Sequence, residues 1–348
     1  MSDEKKDAYV SALCRDIAAW RERCLDYTVD TVYFGGGTPT LLSISQFERI
    51  FDVLHKSFDI SPDAEITSEC NPATADVTYF AALHKMGVNR LSLGVQSAND
   101  NELKALGRVH SWSDAEKAFN DARVAGFDNI SADLMFGIPD QTRESFAKTL
   151  ENVIALSPRH VSAYGLILEP GTPFFANQKN LVLPDEDAEY NMYTDTVSAL
   201  ATLGLKRYEI SNFALPEGES RHNLKYWRRE EYLGFGISAH SFFDETRSFV
   251  PSDLDKYIEG AYDAVTEHID RKDALNEYVM LTMRLTEGVS EAEFERRFGE
   301  SFGDIFGSRI KRFIDVGLIT REGGRCAFTE RGFYVSNSVL SEILEFND

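Results

Sequence analysis

Cysteine is scarce in this 348-residue chain: Cys14, Cys24, Cys70 and Cys326 are widely scattered, and no two stand as a C-x-x-C pair. That spacing indicates neither a zinc knuckle nor a disulfide framework, and it fits a reducing compartment. Basic residues are also short, with 36 Lys and Arg against 57 Asp and Glu and a formal charge of −21. Nucleic-acid binding in general needs a basic face, so this balance argues against it and for an acidic solvated surface. Long apolar runs are missing as well. No segment reaches the roughly 20 apolar residues that span a bilayer. Nor does an apolar run follow Met1-Ser-Asp-Glu-Lys-Lys-Asp7 to mark a signal peptide. The chain reads as cytoplasmic, with no membrane insertion.

Hydrophobic content of 43% and aromatic content of 12% are ordinary for a globular protein, and the length suggests one large domain plus a smaller one. Short apolar strands over 31–35, 64–69, 90–96, 130–136 and 161–166 each end near a glycine, acid or amide. Helical stretches over 45–58, 75–86, 113–125 and 145–156 separate them, and a longer one covers 185–203. Alternation of this kind describes an α/β fold whose parallel strands curl into a partial, open TIM-like barrel. Chemistry in such barrels sits at the carboxyl ends of the strands. This chain keeps Gly35-Gly36-Gly37-Thr38, Glu69, Gln96 and Asp133 there.

Upstream, residues 3–24 read as an amphipathic helix with Val10, Leu13, Ile17 and Trp20 on one face, yet no strand precedes it. Extended stretches are expected at 207–213 and 232–237. From about 276, three short helices (278–286, 291–298 and 306–316) precede a hairpin turning at Glu322-Gly323-Gly324. This pattern suggests a small winged-helix-like α+β domain, whose mixed charge suits a packing or partner surface. The expected division is 1–215 for the partial barrel, 216–275 for a linking region and 276–348 for the terminal domain.

Three glycines directly after a strand let a ligand approach the backbone closely, or make a tight turn; on glycines alone these readings are evenly balanced. Asp133 lies within a buried strand, where a lone carboxylate is costly. It calls for a ligand hydroxyl or an internal partner such as Arg90 or Arg108. With Glu69 and Gln96 it forms a polar rim at one barrel mouth, which favours a binding site. A second cluster, His222-Asn-Leu-Lys-Tyr226-Trp227, follows a polar stretch and is expected on an exposed loop. An accessible imidazole beside two aromatic rings suits an iron porphyrin, though a lone loop histidine is usually an ordinary surface residue. His240 reads equally as a core hydrogen-bonder.

Taken together, the motifs resemble one family. They are Gly-Gly-Gly-Thr-Pro-Thr (35–40), Ser-Glu-Cys-Asn-Pro (68–72), Arg-Leu-Ser-Leu-Gly-Val-Gln-Ser (90–97) and Leu-Gly-Arg-Val-His (106–110). Ser-Ala-Asp-Leu-Met-Phe-Gly-Ile-Pro (131–139), Tyr-Glu-Ile-Ser-Asn-Phe-Ala (208–214) and His-Asn-Leu-Lys-Tyr-Trp (222–227) follow in order. This set resembles the oxygen-independent coproporphyrinogen-oxidase-like group of radical S-adenosylmethionine (radical SAM) proteins, and within it the HemW-type heme chaperones. The resemblance implies S-adenosylmethionine binding by Gly36, Gly37, Thr38, Glu69, Gln96, Arg108 and Asp133. Acids and amides there would take amino and hydroxyl groups, and the guanidinium a carboxylate. It also implies heme binding by His222, Tyr226 and Trp227, with His222 as the iron ligand, and a heme-accepting protein as partner. The alternative in the same group is a coproporphyrinogen dehydrogenase.

One departure stands out. The family holds a four-iron, four-sulfur cluster on C-x-x-x-C-x-x-C after the first barrel strand, and an electron donor serves that cluster. None of the four cysteines here reproduces the spacing, so the chain as written is not expected to perform radical chemistry. The retained rim residues favour a true start upstream of Met1 over loss of the cluster, because a barrel without its opening strand exposes an unpaired edge.

Overall fold

The computed structural model describes residues 1–345. Helix Asp3–Ala19 (α1) opens the chain, and a strand–helix pattern follows. It runs Thr28–Phe34 (β1), Ile44–Ser57 (α2), Asp59–Cys70 (β2), Val77–Met86 (α3), Arg90–Gln96 (β3), Asp100–Ala105 (α4) and Trp112–Val124 (α5). Asn129–Phe136 (β4), Arg143–Leu156 (α6), His160–Gly165 (β5), Pro173–Ala176 (α7) and Glu186–Ala201 (α8) continue it. Lys206–Arg207 (β6) and Asn212–Ala214 (β7) finish a seven-stranded sheet ordered β1-β2-β3-β4-β5-β7-β6. Strands β1 to β5 pair in parallel, whereas β7 is antiparallel to both β5 and β6. The fold is thus the expected open barrel, closed at one side by an antiparallel return.

Local chemistry explains the helix limits. Ser43, Ser111 and Thr142 each start a helix with a capping box, in which the side chain and the residue three positions on satisfy each other's backbone N–H. Asp76 caps α3, and Gly87 ends it in the left-handed region at φ 107°. Strand alternation sorts the side chains onto two faces. Leu91, Leu93, Ala132, Leu134, Val161 and Ala163 are buried on one face. The other carries Arg90, Ser92, Ser131, Asp133, His160 and Ser162, joined in part by hydrogen bonds.

The chain divides into two compact units: 20–207 with 211–219, which contains this sheet, and 1–19 with 208–210 and the chain from 220 onward. These limits do not follow the divisions read from the sequence at 215 and 275. Helix α1, expected to open the barrel, is grouped with the second unit. There Lys5 pairs with Asp255 at 2.6 Å, and Arg15 donates to the Ile258 carbonyl at 2.7 Å. Asp16 accepts from the Tyr257 hydroxyl at 2.9 Å. These partners lie in Leu254–Glu259, where Ala12 and Tyr9 also pack against Tyr257, so polar and apolar contacts together hold α1 there.

The second unit holds Arg221–Trp227 (α9), His240–Phe243 (β8), Thr246–Phe249 (β9), the helix Leu254–Glu259 (α10) and Val265–His268 (β10). Strands β8 to β10 form a small antiparallel sheet that the sequence patterning did not show, because its short strands carry little apolar alternation. The stretch 232–237, expected to be extended, contributes only a bridge from Tyr232 to Phe242. Beyond it come Arg271–Thr282 (α11), Val289–Ser290 (β11), Glu291–Phe298 (α12), Phe302–Asp315 (α13), Ile319–Glu322 (β12) and Arg325–Phe328 (β13). Sheet order β11-β13-β12 with this helix order is a winged-helix topology. Gly323 and Gly324 turn the hairpin with φ 58° and 75°, as a two-residue turn of this hand requires. Glu330–Tyr334 (α14) and Ser336–Ile343 (α15) close the described chain. No helix among the described residues is long and apolar enough to cross a membrane.

Phe294, fully buried, touches the rings of Tyr278, Phe298, Phe302 and Phe306. Phe294→Ala is therefore expected to destabilise this unit by about 3–5 kcal/mol. Hydrogen exchange along the chain will check it: protection should fall across residues 271–328 far more than in β1 to β5.

Candidate functional site

The barrel rim is built from the ends of four strands. After β1 the chain turns through Gly35, Gly36 and Gly37. A Cβ on Gly35 would lie 2.8 Å from Glu69 Oε1, so a glycine is needed for the turn to pass this acid. Gly36 sits at φ 85° and donates its N–H to Glu69 Oε2 at 3.2 Å. The space beyond the α-carbons of Gly36 and Gly37 is open. The tight turn is thus seen at Gly35 and Gly36, and the open space lies at Gly36 and Gly37.

Glu69, at the end of β2, also accepts the Tyr33 hydroxyl at 2.9 Å. Asp133, half-buried on β4, accepts three hydroxyls: Ser92 at 2.8 Å, Ser162 at 2.8 Å and Ser131 at 3.1 Å. This corrects the ion-pair reading. Neither Arg90 nor Arg108 makes an ion pair with Asp133 among the described residues; serines on three adjacent strands satisfy it instead. Ser131 in turn meets His160 Nδ1 at 2.8 Å. Burial holds the His160 imidazole well below its ordinary pKa, hence neutral, and the Ser131 proton goes to Asp133, so Nδ1 is the donor.

Two rim groups have nothing to hold. Gln96 is buried at the end of β3, and its amide makes no hydrogen bond among the described residues. The guanidinium of Arg108, a half-buried residue, has no hydrogen-bonded or ion-paired partner among the described residues either. Burial lowers its pKa, and the field of Asp133 opposes that shift. Deeper in the sheet, the buried Thr67 Oγ1 and Arg90 Nε also lack partners. Buried polar atoms are normally satisfied, so orphans gathered around two acids and an open glycine turn describe a polar ligand site. The arrangement suits a ligand carrying ammonium, hydroxyl and carboxylate groups.

The second cluster sits on a helix, not on the loop expected for it. Ser220 accepts the Asn223 N–H at 3.3 Å and caps α9, a helix with no regular apolar face to announce it. At the i, i+4 spacing His222 Nε2 meets the Tyr226 hydroxyl at 2.7 Å, with ring centroids 5.0 Å apart. Tyr232 packs edge-on to Tyr226 at 4.6 Å. Trp227 makes no ring contact with either tyrosine or with His222 among the described residues. His240 is exposed and stacks on Phe249 at 5.3 Å, which removes it from the core.

The cysteines do not form a donor set for an iron–sulfur cluster. Cys24, Cys70 and Cys326 are buried, and burial pushes the Cys70 and Cys326 thiols up to about 12, far from the thiolate that binds iron. Among the rim partners, Tyr33, Ser92, Ser131, His160 and Ser162 escaped the sequence reading. The signal was present as polar residues two positions apart in the strands: Arg90 and Ser92 in β3, Ser131 and Asp133 in β4, His160 and Ser162 in β5.

The sequence model of the Radical SAM superfamily matches residues 4–153, and that of the HemN C-terminal domain matches residues 269–335. The chain is 35% identical over 346 residues to the heme chaperone HemW of Bacillus subtilis (strain 168), covering 97% of this chain and 91% of that protein. It is 34% identical over 349 residues to the heme chaperone HemW of Lactococcus lactis, covering 99% and 91%. Among solved structures, coproporphyrinogen III oxidase (HemN) from Escherichia coli superposes with a TM-score of 0.85 at 23% identity, over 99% of this chain and 85% of that one. That likeness shows the fold.

The rim acids carry a pH signature. Burial raises the pKa of Asp133 and, chiefly, that of Glu69, where the Tyr33 hydroxyl and Gly36 N–H act against it. A carboxyl whose folded pKa lies above its unfolded value binds more protons when folded. Its contribution is thus most favourable below about pH 4 and is lost as pH rises through the raised value. Asp133→Asn should flatten this fall: the difference in thermal midpoint, variant minus parent, grows in the variant's favour between pH 4 and pH 7. A constant difference would show that Asp133 ionises normally.

Proposed function

The chain belongs to the HemW heme-chaperone family of radical SAM proteins, and from that premise we propose that it binds heme at His222 and delivers it to a recipient protein. The observation that supports the heme site is the imidazole of His222 against the ring of Tyr226 on helix α9, with Tyr232 packed edge-on to that same tyrosine ring. Nε2 is engaged by the Tyr226 hydroxyl, so coordination of iron through that nitrogen requires the phenol to swing away. Tyr226 then acts as a latch on the ligand, with both rings offering apolar faces to a macrocycle. Trp227 stands adjacent on the same helix and remains a candidate for the outer contact.

The barrel rim is proposed to hold S-adenosylmethionine. Glu69, Asp133 and Gln96 would take its amino group and ribose hydroxyls, Arg108 its carboxylate, and the turn Gly36-Gly37-Thr38 would lie against it. When bound, S-adenosylmethionine supplies a sulfonium-bearing adenosyl group; here it is read as tuning heme transfer, with no porphyrin oxidised. The supporting observation is a rim that carries two side chains without hydrogen-bond partners among the described residues, the Gln96 amide and the Arg108 guanidinium, the latter within the field of Asp133. The cysteines among the described residues do not suit a cluster. A shared fold with coproporphyrinogen III oxidase does not by itself carry that activity.

Heme titration followed by the Soret band tests the first site. His222→Ala should weaken heme binding at least tenfold with an unchanged thermal midpoint, and Tyr226→Phe, which frees Nε2, should bind heme at least as tightly as the parent. Unchanged affinity in His222→Ala would remove this residue from the site. Conversion of coproporphyrinogen by the protein would instead support the dehydrogenase reading.

A further inference from the structure

Gln96 has a left-handed backbone, at φ 66°, in a residue with a long side chain. The Ser97 N–H donates to the Val95 carbonyl at 2.9 Å, closing a three-residue turn with Gln96 at its centre. Turns of this hand are rare and strained. The pairing of β3 with β4 shifts register at the same place, between Leu93 and Gln96. The Gln96 amide folds over Gly94, where an added Cβ would come within 3.1 Å of Nε2. Such strain persists only where the surroundings over-determine it, and it gathers at functional sites.

The surroundings here are specific. Ser97 donates its hydroxyl to Glu102 at 2.6 Å and accepts the Asn99 N–H at 2.9 Å. The Ala98 N–H reaches Thr149 Oγ1 at 3.1 Å. Glu102 is 4% exposed and also receives the Ser145 hydroxyl at 2.6 Å and the Gln141 amide at 3.0 Å. It thereby ties the loop after β3 to the loop after β4 and to α6. From the opposite end, His110, also 4% exposed, sets its Nε2 3.2 Å from the same Val95 carbonyl. A carbonyl only accepts, so His110 is the donor there. The segment that leaves the sheet at Gln96 thus returns to its own starting point at His110, two residues after Arg108. Along the way the Arg108 N–H donates to the Leu103 carbonyl at 2.9 Å, inside the helix that Glu102 anchors.

We propose that Glu102 and His110 are positioning residues that clamp this segment into a closed loop, holding Gln96 in its strained turn and setting Arg108 beside it. Neither touches the ligand. The inference rests on the reading of Gln96 and Arg108 as ligands of S-adenosylmethionine, but the clamp itself is a property of the free protein. An ordinary anchoring role for Glu102 would stabilise the loop without coupling to the conformation of Gln96.

Hydrogen exchange on the full chain without ligand separates these roles. Glu102→Ala and His110→Phe should each speed exchange across residues 95–99 at least tenfold, leaving β1 and β2 as in the parent. Ser97→Ala, which removes the link between Glu102 and the turn together with the acceptor of the Asn99 N–H, should do the same and serves if a clamp variant fails to fold. In a Gln96→Gly background, where the left-handed backbone is unstrained, Glu102→Ala should change that exchange less than threefold. Unchanged exchange in the single variants, or the same tenfold effect in both backgrounds, overturns the clamp.

Equilibrium dialysis with S-adenosylmethionine gives the second readout. The clamp variants should bind at least tenfold more weakly than the parent, and equal affinity despite faster exchange overturns the positioning role. If the parent itself does not bind while the exchange pattern is as expected, the reading of the rim falls and the clamp stands.

Discussion

Asp133 and the three serine hydroxyls around it organise the barrel. A carboxylate set into the middle of a sheet is tolerated only when its lone pairs are filled, and Ser92, Ser131 and Ser162 fill them from β3, β4 and β5. Each serine lies one strand position from residues buried on the apolar face, so the acid and the hydrophobic layer constrain the same register. A slip of one residue would expose Leu91, Ala132 or Val161 on the inner face and break the hydroxyl set at once. The register of the central strands is therefore specified twice, by opposite kinds of chemistry.

That double specification gives the rim a rigid floor. Tyr33 and the Gly36 N–H share Glu69, while the serines occupy Asp133, so the two acids are satisfied from inside the sheet. Gln96 and Arg108 are left with donors to offer. The contrast divides the labour at the mouth: acids pre-organised by the protein, donors waiting for something outside it. The strain at Gln96 belongs to the same design, because a turn held by its neighbours keeps the amide in one place before any ligand arrives.

The second unit works on a different principle. Its winged-helix core rests on stacked and edge-on rings, Phe294 at their centre, while Arg229 bridges Glu277 and Glu245 at 3.1 and 2.6 Å with its guanidinium over Phe242. His222 and Tyr226 stand on the short helix that ends just before Arg229, so this buried ion network supports the helix from its carboxyl end. A proposed heme ligand is thereby placed on an element secured by charge and aromatic packing together.

Much of this could be read in the sequence. Strand β3 was expected at 90–96 and is found there, and helix α12 was expected at 291–298 and is found there. Both follow from spacing along the chain: polar and apolar residues alternate at every second position in one, and Phe294 and Phe298 repeat at the fourth in the other. The glycine turn, the rim acids and the His222 motif were also visible, since each is a short run of residues with unusual chemistry. What escaped was contact between distant residues. Nothing near Asp133 in the chain names Ser92 as its partner, 41 residues away, and nothing near Val95 names His110 as the donor that closes the loop. The sequence by itself determined which residues are polar and where strands and helices repeat, because those properties depend on neighbours one to four positions apart. Tertiary contacts alone settle that Asp133 is satisfied by serines and not by arginine, that Gln96 is held left-handed, that Tyr232 packs on Tyr226, and that α1 packs with the second unit. Those outcomes depend on which side chains the folded backbone brings within hydrogen-bonding reach, and periodicity carries no information about that.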